Sequence, residues 1–331
     1  MTHTLTIIIP CYNEEEMLPV SSAKITEELT RLIDTNKVSA QSCLLFVDDG
    51  SRDDTWQIIE QLHEKNPVWL KGLKLSRNFG HQHALLAGMS AACGRSEMVV
   101  TIDADLQDDI HAIEKMVDAY NEGYDVVYGV RSNRDTDTAF KRQTAALFYQ
   151  LMRKIGVEMV PNHADFRLLS RRAVAALLSF KEQNLFLRGL VPLVGFPSAK
   201  VYYFREKRAA GESKYPLKKM VQFAMEGISS FSIMPIRLVR NLGLLTFLIG
   251  IVYMFYVLVQ KMSGNTETGW SSLAMSIWLL GGVQLIGLSI IGEYIGKIYS
   301  EVKRRPRFII EKNLYSEEQH HHESTDTTHS I

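Results

Sequence analysis

Three features of the 331-residue sequence predict an α/β domain with a mostly parallel sheet, followed by an amphipathic interfacial helix and two transmembrane helices. From Leu5 to Val130, short β-rich runs alternate with helical patterns, an order that suits only a mostly parallel α/β sheet. One apolar run, Val99–Gln107 (VVTIDADLQ), ends abruptly in two carboxylates spaced i, i+2 and then an amide. Towards the C-terminus, Leu242–Val259 and Trp270–Gly292 run 18 and 23 residues without a charge.

Leu5–Pro10 (LTIIIP) is a β-rich run closed by proline and makes the first strand. After the loop CYNEEEMLP, a helical pattern continues to about Asp34. Ser42–Asp49 is the second strand, and Ser51 or Asp53 is the expected N-cap of the helix carrying Trp56, Ile59 and Leu62. Trp69–Leu75 is the third strand. SRNFGHQHALLAGMSAACG then enters a small-residue helix of the kind that packs closely on a sheet. Val99–Asp105 is the fourth strand, continuously hydrophobic as a buried parallel strand should be. If it stays extended, Asp103 and Asp105 project to the same side. A helix over Ile110–Asn121 and a fifth strand, Asp125–Val130, follow.

Beyond Arg131 the pattern is less regular. Ala139–Ile155 is a helix candidate with basic residues at Lys141, Arg142, Arg153 and Lys154. Ala164–Leu169 and Lys200–Phe204 are expected to extend the sheet, with a loop-like apolar piece, LFLRGLVPLVGFP, between them. Arg205–Tyr215 (REKRAAGESKY) is basic and reads as irregular. In Tyr215–Phe231, Leu217, Val221, Ala224, Ile228 and Phe231 follow helical spacing, opposite Lys218, Lys219, Gln222 and Glu226. That pattern, just before a hydrophobic span, suits a helix lying on a membrane surface.

Both uncharged stretches meet the length needed to cross about 30 Å of hydrocarbon. Their flanks carry Arg237 and Arg240 on one side and Lys297, Lys303, Arg304, Arg305 and Arg307 on the other. The joining loop, Lys261–Gly269, has one lysine and one glutamate. The positive-inside rule therefore puts the α/β domain in the cytoplasm and the protein in the plasma (inner) membrane as a multi-pass protein. The expected organisation is a catalytic domain over residues 1–213, an interface helix over 214–235 and two membrane helices within 236–300 (about 242–260 and 270–292). A polar, partly disordered cytoplasmic tail over 301–331 completes it.

Composition excludes some classes. With 37 basic and 37 acidic residues, no global charge points to nucleic acid. Cys11, Cys43 and Cys93 form neither a CxxC pair nor an even disulfide set and read as reduced core residues. MTHTLTIIIP has no basic n-region, so no signal peptide is expected there.

The end of the fourth strand carries the chemistry. The C-terminal ends of strands in such sheets open onto the ligand crevice. Two hard oxygen ligands there suit Mg²⁺ or Mn²⁺ bridging to a diphosphate. The same residues could instead form an Asp-rich turn capping the next helix.

IPCYNEEE, FVDDGSRDDT, LSRNFGHQHALLAG, IDADLQDD, YGVR and REKRAAGESKY, in this order and ahead of two membrane spans, resemble a family-2 glycosyltransferase. More narrowly they resemble the polyprenyl-phosphate glycosyltransferases, the group of dolichol-phosphate mannose synthases and bactoprenol glucosyltransferases. The resemblance covers about residues 5–300. It implies a GT-A type nucleotide-binding domain in which Pro10, Tyr12 and Glu14 hold the base and ribose and Asp48 or Asp49 contacts the base. It places Asp103 by the ribose, makes Asp105 and Gln107 the metal ligands, and gives Asp165 in HADFR the catalytic acid/base position. Read from the residues alone, Glu14 could simply favour a helix N-terminus, and Asp48 and Asp49 could be turn residues.

The acceptor in such enzymes is a lipid phosphate. A phosphate monoester has a second pKa of about 6, so at pH 7 it is already an anionic nucleophile. Cationic positioning matters more than a strong base. Arg131, at the end of strand five, is suited to this for either the diphosphate or the acceptor, and Arg205, Arg208, Ser213 and Lys214 add to it. That basic loop could alternatively be a solvated or headgroup-facing charge run. Asp165 is expected to orient an arginine or the acceptor phosphate as readily as to abstract a proton. His81, His83, His111 and His163 read as helix-surface or packing residues, although His81 lies inside NFGHQ.

The processive synthases of the superfamily carry Q-x-x-R-W, and none of Trp56, Trp69, Trp270 and Trp278 follows an arginine, which favours transfer of a single sugar. A non-catalytic scaffold is opposed by the intact Asp103, Asp105 and Gln107. Nucleotidyl transfer is opposed by the acidic first loop, CYNEEE. The resemblance favours a UDP-sugar, UDP-glucose or UDP-N-acetylglucosamine, with undecaprenyl phosphate as acceptor, and is compatible with a homo-oligomer such as a tetramer.

Overall fold

The computed structural model describes residues 2–132, 163–183, 185–204 and 269–315, with single positions between 239 and 259. Cα packing divides the chain into two compact units. One comprises Met1–Tyr149, Glu158–Lys214 and Arg305–Ile331, and the other Gln150–Val157 and Tyr215–Arg304.

The first unit is built on one sheet. β1 (Leu5–Cys11), β2 (Cys43–Asp48), β3 (Leu70–Leu75) and β4 (Met98–Thr101) are apolar runs connected by helices, and they pair in parallel in the order β4-β1-β2-β3. The crossovers are α1 (Leu18–Asp34), α2 (Thr55–Lys65) and α3 (His81–Ala92). The small residues of α3 let it lie close on the sheet: a Cβ added at Gly88 would sit 2.5 Å from Ile8 Cγ2. Pro10 is tolerated in this central strand for a local reason. Ile8 bonds Ile102 through its carbonyl on the β4 side, and Pro10, two residues on, turns its missing N–H to that side, where pairing with β4 has ended.

α4 (Ala112–Asn121) leads to β5 (Val126–Arg131). β6 (His163–Ser170) then inserts antiparallel between β4 and β5, and β7 (Ser198–Tyr203) adds in parallel outside β5. The two predicted extensions of the sheet are therefore strands of it. Two helices lie between them. α5 (Arg171–Ser179) is capped by the Ser170 hydroxyl, which accepts from Ala173 N at 3.2 Å, and α6 (Leu187–Leu193) replaces the expected loop. α6 forms despite Pro192 inside it, with Leu187, Leu190 and Val191 buried.

Three expectations need correction. The fourth strand stops at Thr101, so Asp103 and Asp105 lie beyond the ladder in a turn whose next residue, Leu106, has φ +52°; period-two alternation does not place them. The N-cap of α2 is Asp54, while Asp53 accepts from the Thr55 and Glu15 amides and Ser51 Oγ from the Asn13 amide. The C-terminal segment is no mere tail. β8 (Ile310–Asn313) pairs antiparallel with the exposed edge of β3, and Tyr315 is buried with its hydroxyl 3.1 Å from Thr6 Oγ1. All three cysteines are free.

In the second unit, α7 runs from Trp270 to Val302, 33 residues, about ten beyond the uncharged stretch. Leu273, Ile277, Leu280, Leu285, Ile286 and Leu288 are exposed along it. Among the described residues no helix is long and apolar enough to cross a membrane, and the α7 sequence from Trp270 to Gly292 is free of charge. The helix candidate over Ala139–Ile155, the basic loop over Arg205–Tyr215, the amphipathic stretch over Tyr215–Phe231, most of Leu242–Val259 and residues 316–331 lie outside the described residues.

Candidate active site

The C-terminal ends of β1, β2 and β4 lie side by side, and the loops leaving them line one crevice. The β1 and β2 loops are bound to each other by reciprocal bonds. Asn13 Oδ1 accepts from Arg52 N (2.9 Å), Thr55 Oγ1 from Glu14 N (2.9 Å) and Glu15 Oε2 from Asp54 N (3.1 Å). Asn13 takes φ +54° to make this turn. Tyr12 is exposed beside it, and Glu14 lines an open cavity of about 490 Å³ along Asn13–Met17, Arg52 and Asp53. Pro10, one strand position before Cys11, is buried.

Asp48 and Asp49, one of which is expected to contact the base, stand at the C-terminal end of β2. Both are buried, at 0% and 2% exposure. Asp48 Oδ1 accepts from Ser51 N at 3.0 Å. Asp49 accepts from Phe79 N (2.7 Å) and Gly80 N (2.8 Å), so both its oxygens serve the entrance of α3. Burial raises both carboxyls above their ordinary range. The crossing of these loops is tight: at Gly50, φ +66°, a Cβ would fall 2.3 Å from the Arg77 carbonyl carbon. Their structural task is to fix α3, whose first residue is His81.

His81 is the meeting point of the site. Its Nε2 lies 3.6 Å from Asp103 and 3.7 Å from Asp165. Burial would lower its pKa, but Asp165 and then Asp103 outweigh that and raise it. Asp165, on β6, binds two arginines, Arg167, fully buried beside it on the same strand, and Arg188 on α6, 3.2 Å away, and faces His81. Burial pulls the Asp165 carboxyl up, yet Arg188, His81 and Arg167 together hold it well below the usual carboxylate range. Gln82 Oε1 accepts from Leu187 N at 2.8 Å and so ties the start of α3 to the helix that presents Arg188.

Asp103 has the opposite environment. Burial pushes it up to about 6; His81 opposes this, and Asp165, Asp108 and Asp105 add to it by repulsion. Asp105 Oδ1 accepts from Gln107 N at 3.2 Å, which closes the acidic turn on itself. Behind the turn, Asp108 is buried and binds Arg131 (3.2 Å) and the Tyr203 hydroxyl (2.6 Å).

Carboxylates crowded around Asp103 fit a hard divalent cation, whose charge relieves their repulsion. Among the described residues no three His, Cys, Asp or Glu side chains converge to hold one unaided. A cation on Asp105 and Gln107 would complete its shell with phosphate oxygens and water, as Mg²⁺ commonly does. Arg205, Arg208, Ser213 and Lys214 lie outside the described residues. Sequence reasoning passed over Arg167, Arg188, Asp108 and Tyr203. Of these, Asp108 had a signal, standing inside IDADLQDD, and Arg167 another, standing in HADFR.

Residues 6–178 match Glycosyl transferase family 2, and residues 234–298 match the GtrB C-terminal hairpin. The chain is 52% identical to the uncharacterized glycosyltransferase YkoT of Bacillus subtilis (strain 168), over 95% of this chain and 93% of that protein. It is 40% identical to the SfII prophage-derived bactoprenol glucosyl transferase of Shigella flexneri, over 93% and 98%. Among solved structures, mannosyltransferase PcManGT from Pyrobaculum calidifontis, in complex with GDP-Man and Mn²⁺, aligns at 15% identity with a TM-score of 0.45, covering 92% and 89%. The family match runs from β1 into α5 and takes in the acidic turn and Asp165, and with relatives of such identity along nearly the whole length, the chain belongs to glycosyltransferase family 2.

Proposed function

We propose that the protein moves one sugar from a nucleotide diphosphate sugar to a polyprenyl phosphate, with inversion, at the cytoplasmic leaflet of the plasma membrane. The observation that carries this reading is the state of Asp165. A sugar hydroxyl as acceptor needs a base to take its proton, and a carboxylate bound to two arginines and a histidine is a poor one. A phosphate monoester needs none, since its second pKa is about 6. What it needs is cations that fix its oxygens near the anomeric carbon, and Arg131 and Arg188 border the crevice for that purpose.

The phosphate oxygen attacks the anomeric carbon, the bond to the donor diphosphate breaks on the opposite face, and the nucleoside diphosphate leaves. A Mg²⁺ or Mn²⁺ ion on Asp105 and Gln107 would stabilise the charge that develops on that leaving group. Asp165 keeps Arg188 oriented. Pro10, Tyr12 and Glu14 border the donor side of the crevice; a UDP-sugar, glucose or N-acetylglucosamine, is the donor this reading favours.

The relatives named bactoprenol glucosyl transferase support a polyprenyl acceptor, and the hairpin match supports two membrane-crossing helices, about 242–260 and 270–292. The exposed apolar side chains of α7 suit a lipid environment. An acceptor whose isoprenoid tail stays in the bilayer calls for an enzyme anchored there.

Purified protein in detergent, given undecaprenyl phosphate, Mn²⁺ and a panel of radiolabelled nucleotide sugars, tests the reading. Chloroform-extractable label from one donor, lost with EDTA and in Asp105→Ala, is the expected result. Label in a water-soluble or high-molecular-weight product would overturn it.

A further inference from the structure

We propose that Tyr203 and Asp108 are positioning residues that hold the Arg131 guanidinium so that it meets a phosphate oxygen in the crevice. The proposal rests on the phosphate-transfer reading above, and it assigns a task to two side chains outside the acidic turn's ligands and outside the Asp165 cluster.

The geometry is local and closed. Arg131 ends β5 and stands opposite Tyr203 in the parallel β5–β7 register. The Tyr203 hydroxyl donates to Asp108 Oδ1 at 2.6 Å and accepts from Arg131 Nε at 3.3 Å. Arg131 also gives Asp108 Oδ1 two bonds, Nε at 3.4 Å and one terminal nitrogen at 3.2 Å. A single carboxylate oxygen thus receives the phenol and the edge of the guanidinium together. Among the described residues the other terminal nitrogen makes no bond, and 28% of the Arg131 side chain is exposed.

The mount is rigid. Tyr203 and Asp108 are both buried, and the Tyr203 ring packs edge-to-face on Phe166 with centroids 5.3 Å apart. Ser132, the residue after Arg131, is held by the Tyr203 carbonyl through its amide (2.9 Å) and its hydroxyl (2.8 Å). A long, flexible side chain becomes a directed donor only when its rotamers are restrained from behind, and here three elements do so: the β5 end, the β7 end and the acidic turn. A buried phenol and carboxylate with no role beyond packing would be costly to keep in place of apolar groups.

Tyr203→Phe removes one hydroxyl and keeps the ring contact with Phe166, so folding is preserved, checked by the melting temperature. The experiment is a double-mutant cycle of Tyr203→Phe with Arg131→Ala, read on transfer to undecaprenyl phosphate and on the Kd for UDP with Mn²⁺. Asp108→Asn runs in parallel. In the wild-type background Tyr203→Phe is expected to lower kcat/KM about ten- to a hundredfold, the range of a hydrogen bond to a charged group. In the Arg131→Ala background the same change should cost less than about threefold, because a positioning residue has nothing left to position.

A rise in the UDP–Mn²⁺ Kd identifies the phosphate as the donor's diphosphate. An unchanged Kd with a raised KM for the lipid identifies it as the acceptor's. Full activity of Tyr203→Phe, or an equal loss in both backgrounds, overturns the proposal. If wild-type protein labels no lipid from any donor, the transfer reading itself has failed. The cycle is then decided on the UDP–Mn²⁺ Kd alone, where a coupling under twofold overturns the positioning role.

Discussion

Asp103 and Asp165 flank the same imidazole, 3.6 and 3.7 Å from His81 Nε2, and their carboxyls are shifted in opposite directions. The Asp165 side carries two arginines, a buried one from its own strand and a half-exposed one from α6, beside the histidine. On the Asp103 side, burial and repulsion from Asp165, Asp108 and Asp105 outweigh the attraction of His81. Environments that push two acids apart in this way mark separate tasks. A site short of positive charge is built to receive a cation, and a carboxylate already matched is built to hold its partners still. On the proposed reading, the metal and diphosphate stand on the Asp103 side of His81 and the acceptor on the Asp165 side.

The largest expected effect falls on the acidic side. Asp105→Ala should lower transfer by about a thousandfold or more, the scale of losing transition-state charge stabilisation, and EDTA should do the same to wild-type protein; activity that survives both would erase the distinction. Asp165→Ala should cost stability as well as rate. It strands Arg167, fully buried, without its counter-charge, a loss of about 3–5 kcal/mol. In a melt this is a fall on the order of 10 °C. Arg188→Ala, from the exposed side of the same cluster, should instead lower kcat by roughly a hundredfold with the melting temperature near wild type.

The smallest effect has the reverse sign. Asp103 has its pKa raised by folding, so the protonated form favours the native state, and that contribution is lost as pH rises through about 6. At neutral pH the ionised group is a burden on stability. Asp103→Asn should therefore raise the melting temperature of metal-free protein by about 1–2 °C while lowering transfer, a sharper form of the contrast because stability and activity move in opposite directions. A lower melting temperature in that variant would show the acidic side to be compensated after all.

How far this contrast was legible in the sequence follows the same division. The acidic side stands in one contiguous motif at the end of a strand read from its hydrophobicity, and the alternation of β1 to β5 fixed where that strand lies. The error there was geometric: period-two reasoning assumed an extended chain through Asp105, and the turn after Thr101 intervenes. The Asp165 side is assembled from distant pieces. Arg188 lies in an apolar segment read as loop, because two glycines and two prolines mask a helix of only seven residues. β6 runs antiparallel between two strands that precede it in the chain, a placement no local pattern encodes. A lone histidine on a helix, such as His81, has no signal of its own; its position is set by Asp49, just past the end of β2, which accepts from the Phe79 and Gly80 amides at the entrance of α3. β8 was missed because IEKN is polar at an exposed edge, where pairing with β3 needs no apolar face.

The central claim is that Asp165 positions cations and does not take a proton. The pH dependence of kcat for wild-type protein and Asp165→Asn, with undecaprenyl phosphate as acceptor, tests it most directly. Both profiles should fall on the acid side with a midpoint near 6, since the acceptor's monoester titrates there. The variant should be slower throughout with the same midpoint. An acid limb that disappears in Asp165→Asn, leaving a flat residual rate, would make Asp165 the proton acceptor and contradict the account.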